Sequence, residues 1–315
     1  MRSGMSRLVS IDGALHAPDD AKVSVYDRGF LYGDSVFETI RTYAGKCFAL
    51  GEHMARLERS AALVAIPMPI SADAFAAEIL AAVSASQSPG GPGDASPAGP
   101  AAPDAPAERY VRVMLSRGMG PLGLDSSAAV APLRVILVEP LQTPAPELYR
   151  DGVAVITVRT ERAADAAHGA KVGNYLASLL ALRAARAAGA HEALVLDAHG
   201  RIIEGTTSNV FLVQGGALVT PPEEAGILAG ITRAHLFDVA RSEGIPVRLA
   251  SFTPEDLASA DEAFLSSSIR EVLSIVRIDG RAIGAGMPGR VTRALHVAFR
   301  QRVGLGAEPM PWDIA

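Results

Sequence analysis

The chain has 315 residues, enough for two domains of ordinary size, and about half are apolar, so a substantial core is available. A net charge of −5, with basic residues scattered singly, gives no electrostatic reason to expect nucleic acid or an anionic membrane surface as a partner. The one cysteine, Cys47, excludes a disulfide within the chain and argues against a thiolate metal site.

The N-terminus, MRSGMSRLVSIDG, lacks the apolar core of a signal peptide. No stretch approaches the ~20 apolar residues that a bilayer span needs. A soluble, cytoplasmic protein is expected, with Cys47 as a buried strand thiol.

Residues 7–50 read as short strands and turns. Leu8–Ile11 leads into Asp12-Gly13, a hairpin signal, and Val36–Tyr43 and Cys47–Leu50 flank Ala44-Gly45-Lys46, a second one. Glu52–Ala65 has helical spacing, with Met54, Leu57, Ala61 and Val64 on one face. Asp73–Ala85 is a second helix, capped by Ser71 or Asp73. Residues 87–108 are Pro, Gly, Ala and Ser with almost no apolar bulk, and are expected to be a disordered surface insertion. Strands Arg109–Ser116 and Leu133–Val138 follow.

Thr143–Gly152, with Pro144, Pro146 and Asp151-Gly152, reads as an inter-domain connection. The expected organisation is an N-terminal domain over 1–142, a linker over 143–152 and a larger domain over 153–315. In the latter, Val153–Arg159 is a strand and Asn174–Ala188 a helix. Ala193–Leu196, Arg201–Ile203 and Asn209–Val213 are strands, and Ile231–Glu243 is a helix. Ala263–Leu265 and Val272–Ile278 are strands, and Val291–Val303 is the last helix.

Only three of 29 basic residues are lysines: Lys22, Lys46 and Lys171. Arg stays protonated and is a poor nucleophile, so a retained lysine is a candidate for amine chemistry. Lys171 lies among small residues, Gly169-Ala170 and Val172-Gly173, where a bulky ligand can approach the backbone. The ordinary reading of such a lysine is a solvated charge. Glu204 follows a strand and precedes Gly205 and a polar run. It can be a strand-end charge facing water or the partner that keeps a pyridine nitrogen protonated.

Gly226–Arg233 runs a glycine-bearing loop into a helix N-terminus, which suits a phosphate or is an ordinary Thr cap. Ser266-Ser267-Ser268 can bind an anion or close a turn. Arg56 can clamp a phosphate or form a surface salt bridge.

The order and spacing of these groups carry more than any one of them. KVGNYLASLLALRAARAAGAHEALVLDAHGRIIEGTTSNVF (171–211) closely resembles the signature of the class IV aminotransferases. VSVYDRGFLYGDSVFETIRTY (23–43) and FLSSSIREVLSIVRIDG (264–280) resemble the same family. The resemblance covers nearly the whole chain outside 87–108. It implies a two-domain fold type IV architecture of mixed α/β and α+β character: a small N-terminal α/β domain and a larger C-terminal domain with a barrel-like sheet, the active site between them. It implies pyridoxal 5′-phosphate as cofactor, bound covalently by Lys171, whose freed amine then moves protons. Glu204 would pair with the pyridinium nitrogen and Tyr175 with the ring hydroxyl. Arg56, Ile231, Thr232 and Ser268 would contact the phosphate, and Tyr32, Phe37, Tyr110, Arg112 and Ile269 the substrate. No metal is implied. Family members are commonly homodimers, and the loop near Gly118–Leu124 would close the partner's site.

Three activities share this pattern. Tyr110-Val-Arg112 and Asn174-Tyr175 resemble branched-chain enzymes, in which a bidentate Arg suits a substrate carboxylate. The amino acid and the 2-oxo acid are then the partners. D-Amino acid transaminases carry Arg-x-His where this chain has Leu122-Gly-Leu124. Phe37-Glu38-Thr39 replaces the Phe-Glu-Gly commoner in branched-chain enzymes, and Ser267-Ser-Ile269 and Thr207-Ser-Asn209 look closer to aminodeoxychorismate lyases; transamination between branched-chain L-amino acids and 2-oxoglutarate is the expected activity, with the lyase reaction as the alternative. A fold kept only as a cofactor-binding protein stands against the complete set of Lys171, Glu204 and Tyr175.

Overall fold

A computed structural model of the chain describes residues 7–87, 108–159 and 169–314. The chain divides into two compact units: Met1–Gln142 with Ala170–Asn174, and Thr143–Gly169 with Tyr175–Ala315.

In the first unit, β1 (Leu8–Ile11) and β2 (Ala14–His16) form a hairpin. Asp12 and Gly13 both take positive φ, 49° and 86°, as a tight hairpin turn requires. A helix follows where only strands and turns are expected. This is α1 (Arg28–Tyr32), capped by the Asp27 carboxylate, which accepts from the Gly29 and Phe30 amides, and closed by Gly33 in the left-handed region. Next come β3 (Ser35–Tyr43) and β4 (Lys46–Cys47). The strand expected over Cys47–Leu50 stops early, because Ala49 adopts φ 51° and turns the chain into α2 (Leu50–Leu63).

The remaining elements are α3 (Ala72–Gln87), β5 (Arg109–Ser116) and β6 (Leu133–Pro140). Residues 88–107 of the expected insertion lie outside the described residues. Its ends are placed: Gln87 closes α3, and the Glu108 carbonyl accepts from the Leu141 amide.

The sheet order is β2-β1-β6-β5-β3-β4, antiparallel throughout. Alternation along β3 and β5 sorts their side chains by face. Val36, Ile40, Val111, Val113 and Leu115 are buried against Leu57 of α2 and Phe75 and Ile79 of α3. On the other face the register sets Phe37 opposite Met114, Thr39 opposite Arg112 and Arg41 opposite Tyr110.

Ala170–Asn174 joins this unit, although the sequence reads as a helix entrance within the larger domain. β4 pairs only with Thr42 and Tyr43, which leaves the Ser35–Phe37 edge of β3 without a neighbour. The lysine segment fills that edge. The Phe37 amide donates to the Lys171 carbonyl (2.9 Å), the Gly173 amide donates to the Ser35 carbonyl (2.7 Å), and Val172 bridges Val36.

In the second unit, residues 143–152 are more than a connection. They contain α4 (Pro146–Asp151), whose Tyr149 is buried in the unit's core, so apolar burial fixes this segment. The unit continues with β7 (Val153–Arg159), α5 (Leu176–Ala187), β8 (Glu192–Leu196), β9 (Ile202–Gly205), β10 (Asn209–Gln214) and β11 (Ala217–Thr220). Then follow α6 (Ile231–Ser242), β12 (Val247–Leu249), α7 (Pro254–Ala258), β13 (Glu262–Ser267), β14 (Glu271–Ile278), β15 (Arg281–Ala282) and α8 (Arg290–Arg302).

The sheet path is β12-β11-β10-β13-β14-β7-β8-β9, with β15 on β14. It curls, because β9 at its end comes back into contact with β10 and the Gly205 amide donates to the Ser208 carbonyl. The helix expected from Asn174 begins at Leu176. Buried Ala181 and Ala185 of α5 let it lie close beside Ala190 and Ala193. Among the described residues no helix is long and apolar enough to cross a membrane.

Candidate active site

Pairing at the edge of β3 puts Lys171 beside Phe37. The Lys171 Nζ lies 4.5 Å from the Phe37 ring centroid, and the Arg112 guanidinium carbon lies 3.9 Å from the same centroid. An amine and a guanidinium therefore share one aromatic surface. Lys22 and Lys46 are exposed, while Lys171 is half-buried. Gly173 allows this approach: a Cβ there would come within 2.0 Å of the Ser35 hydroxyl. Tyr110 is two residues from Arg112 on the same face of β5, opposite Arg41.

Behind Phe37, on the other face of β3, lies a charged cluster. Glu38 is fully buried, and its carboxylate accepts from Arg56 Nε (2.7 Å), Arg56 Nη2 (2.6 Å) and His53 Nδ1 (2.7 Å). Burial works to raise the Glu38 pKa. The hydrogen bonds from Arg56 and His53 and the Arg56 charge outweigh it and hold the carboxyl at about 2. Burial pushes His53 down, Glu38 pulls it up, and Arg56 and Lys171 push it down again, with a net lowering. His53 is thus the neutral tautomer with its proton on Nδ1. Arg56 is therefore not on the surface: its ion pair is buried.

In the second unit Glu204 sits near the end of β9, buried rather than facing water, and its Oε2 accepts from the Leu228 amide (3.0 Å). Asn209 Nδ2 donates to the Leu228 carbonyl (2.9 Å). Both polar groups of Leu228 are thereby held, which fixes the loop entering α6. Gly230 is required at its end, since a Cβ would meet Asn209 Oδ1 at 1.8 Å. The N-cap of α6 is Gly230, which has no side chain to cap with, so the hydroxyl of Thr232 is not the cap that the sequence allows. Ile231 and Thr232, both buried, carry amides that no carbonyl of α6 can reach. Tyr175 immediately precedes α5.

Ser268 and Ile269 lie in the turn between β13 and β14, where Ser267 Oγ accepts from the Arg270 amide (3.3 Å) and closes the turn. Two residues that hold this region escape the sequence reading. Glu192, fully buried on β8, accepts through Oε1 from the hydroxyls of Thr206 (3.0 Å) and Ser208 (3.0 Å) and from the Thr207 amide (2.8 Å). Its Oε2 accepts from Arg270 Nη1. Buried carboxylates must be paired, but a lone Glu opening an apolar strand carries no such signal in the sequence.

Tyr32 lies on α1, and its hydroxyl accepts from the Gly123 amide (2.8 Å). The buried Arg28 guanidinium donates to the carbonyls of Gly123 (3.0 Å) and Leu124 (3.3 Å) and to Asp34 Oδ2 (3.0 Å). The 118–125 loop is thereby strapped to α1. Cys47 sits in β4, and burial pushes its thiol up to about 11.

A family model described as amino-transferase class IV matches residues 35–278. A relative from Methanocaldococcus jannaschii, provisionally named a branched-chain-amino-acid aminotransferase, is 36% identical over 294 residues, covering 93% of this chain and 95% of its own. A D-alanine aminotransferase of Bacillus licheniformis is 30% identical, with 94% and 96% covered. The solved structure of the Escherichia coli branched-chain amino acid aminotransferase is 29% identical, with a TM-score of 0.85 over 98% of each chain. A further branched-chain amino acid aminotransferase, solved in complex with N-(5′-phosphopyridoxyl)-L-glutamate, is 28% identical, with a TM-score of 0.83 over 99% of this chain and 97% of that one. The match spans β3, which carries Phe37 and Glu38, as well as Lys171, Glu204 and the α6 N-terminus, and the chain belongs to the class IV aminotransferases.

Proposed function

We propose that the chain transfers the amino group between branched-chain L-amino acids and 2-oxoglutarate, with pyridoxal 5′-phosphate held by Lys171. The observation that carries the reading is the shared surface of Phe37, with the Lys171 amine and the Arg112 guanidinium both against one ring. The residues fit the cofactor. Lys171 is the one half-buried lysine, Glu204 is a buried carboxylate, and the α6 N-terminus is opened by a glycine.

When bound, the cofactor supplies the electron sink for the carbanion at the substrate α carbon. Lys171 Nζ would hold the cofactor, and its amine, once free, would take the proton from the substrate α carbon and deliver it to C4′ of the cofactor. Glu204 keeps a proton on the ring nitrogen, and Tyr175 orients the ring hydroxyl. The amides of Ile231 and Thr232, with the positive end of α6, receive the phosphate, assisted by Arg56 and Ser268. Arg112 with Tyr110 receives a substrate carboxylate, and Tyr32, Phe37 and Ile269 bound the side chain. The relative solved with a phosphopyridoxyl-glutamate adduct supports both the cofactor and the dicarboxylate partner.

We further infer a cytoplasmic homodimer. Phe30 on α1 and Leu122 and Leu124 on the strapped loop are 67%, 72% and 85% exposed, an apolar patch that water disfavours and a second copy would cover.

D-Alanine aminotransferases among the relatives support a second reading, transamination of D-amino acids. Leu122-Gly-Leu124 lacks the charged pair that would trap their carboxylate. The test follows glutamate formation from L-leucine, L-isoleucine and L-valine with 2-oxoglutarate, with D-alanine and aminodeoxychorismate in parallel. Turnover of the L-set alone supports the proposal. Turnover of D-alanine alone, or pyruvate release from aminodeoxychorismate, replaces it.

A further inference from the structure

The roles above leave Glu38 without one. The α2 face that meets it carries His53, Arg56 and Ser60, at i, i+3 and i+7, all buried within an otherwise apolar core. Such a stripe is costly compared with packed hydrocarbon and adds little stability of its own. What it does is join two groups. Ser60 Oγ accepts from the Lys171 amide (3.1 Å), which fixes the lysine backbone, and Glu38 grips Arg56 through two nitrogens. The Lys171 charge also acts on His53, so the cluster adjoins the amine.

We propose that Glu38 is a positioning residue for the cofactor: it holds the Arg56 guanidinium in one orientation for the phosphate ester, and His53 in turn holds Glu38. The inference rests on the reading of Lys171 as the cofactor lysine and of Arg56 as a phosphate contact. Two opposed effects make it decidable. The Glu38 charge cancels that of Arg56, so on charge alone its removal would tighten phosphate binding. A bidentate carboxylate also fixes a flexible guanidinium, so on orientation its removal would weaken binding. Orientation dominates.

The experiment titrates purified apoprotein with pyridoxal 5′-phosphate, following the visible band and the ³¹P signal of the bound phosphate. Wild type, Glu38→Gln, Glu38→Asp and Lys171→Ala are compared, and thermal unfolding of each apoprotein is recorded alongside. Glu38→Gln is expected to raise the dissociation constant on the order of tenfold, as loss of a ligand's supporting partner does at other sites. Its ³¹P signal should move toward that of the free cofactor. Glu38→Asp, which keeps the charge but shortens the reach, should fall between, and it is read alone if Glu38→Gln does not fold.

Affinity that is unchanged or tighter, with only the apoprotein stability lowered, overturns the inference and leaves Glu38 a core ion pair. A wild type that binds no cofactor, or a Lys171→Ala variant that keeps the visible band, overturns the cofactor reading and this inference with it.

Discussion

Arg270 and Glu192 lock together two turns that lie far apart in the chain. Arg270 follows β13 and donates to Glu192 on β8, and it also donates to the Thr207 hydroxyl (2.6 Å). Glu192 meanwhile gathers the 206–208 turn. One buried carboxylate therefore sets both the turn after Glu204 and the turn that carries Ser268 and Ile269.

Glu192→Gln should then be costly out of proportion to its size. It exchanges an acceptor of several hydrogen bonds for an amide that must also donate, and it leaves Arg270 without its counter-charge. A loss of roughly 2–4 kcal/mol in thermal or urea unfolding is expected. A loss below about 0.5 kcal/mol would show that the two turns hold themselves.

Acid should destabilise the protein through the Glu38–His53 pair. Glu38 is held at about 2 against an ordinary 4.5, so its contribution is complete above pH 4.5 and fades as pH falls toward 2. At about 1.4 kcal/mol per pH unit, that fall corresponds to roughly 3 kcal/mol. His53 is lowered from 6.5, so the unfolded chain takes its proton first and stability declines below about pH 6.5. Urea midpoints measured between pH 7 and 4 should fall in wild type and fall less in His53→Asn. Equal slopes for the two would remove His53 from the account.

Gly230 and Asn209 should behave as one unit. A methyl at Gly230 displaces the Asn209 amide and with it the hydrogen bond to Leu228. Gly230→Ala is expected to cost about 1–2 kcal/mol, and most of that should vanish in an Asn209→Ala background, where the clash is absent. Additive losses in the double mutant would mean that another contact rejects the methyl.

Arg112→Met should separate the two substrates. An Arg that receives the distal carboxylate of glutamate or 2-oxoglutarate contributes a charge-assisted pair which leucine does not use. KM for the dicarboxylates should rise at least about tenfold, with a much smaller change for leucine. A uniform fall in kcat for both would point instead to the Phe37 ring, which the guanidinium covers.

Cys47 should be slow to alkylate. With its thiol at about 11, little thiolate exists at pH 8, and iodoacetamide should label the native protein far more slowly than the unfolded chain. Equal rates would mean that β4 opens readily.

The order of the amino acids alone identifies the family, because the lysine, glutamate and glycine–threonine signals recur in one order across most of the chain. It also determined the long helices and the β1 and β3–β4 hairpin turns, whose signals are local: period 3.6, and residues that tolerate positive φ. The tertiary structure decided what depends on distant partners. The Lys171 segment pairs with β3 because β4 is too short to cover that edge. Glu38 and Glu192 read as ordinary acidic residues in strands until burial forces each to gather donors, from α2 in one case and from two turns in the other. α4 reads as a linker because its prolines are local, whereas Tyr149 finds its core only when the second sheet curls. Side-chain type and spacing are written in the chain, but desolvation is a property of the assembled fold, and it is desolvation that makes each of these carboxylates gather donors within its own unit.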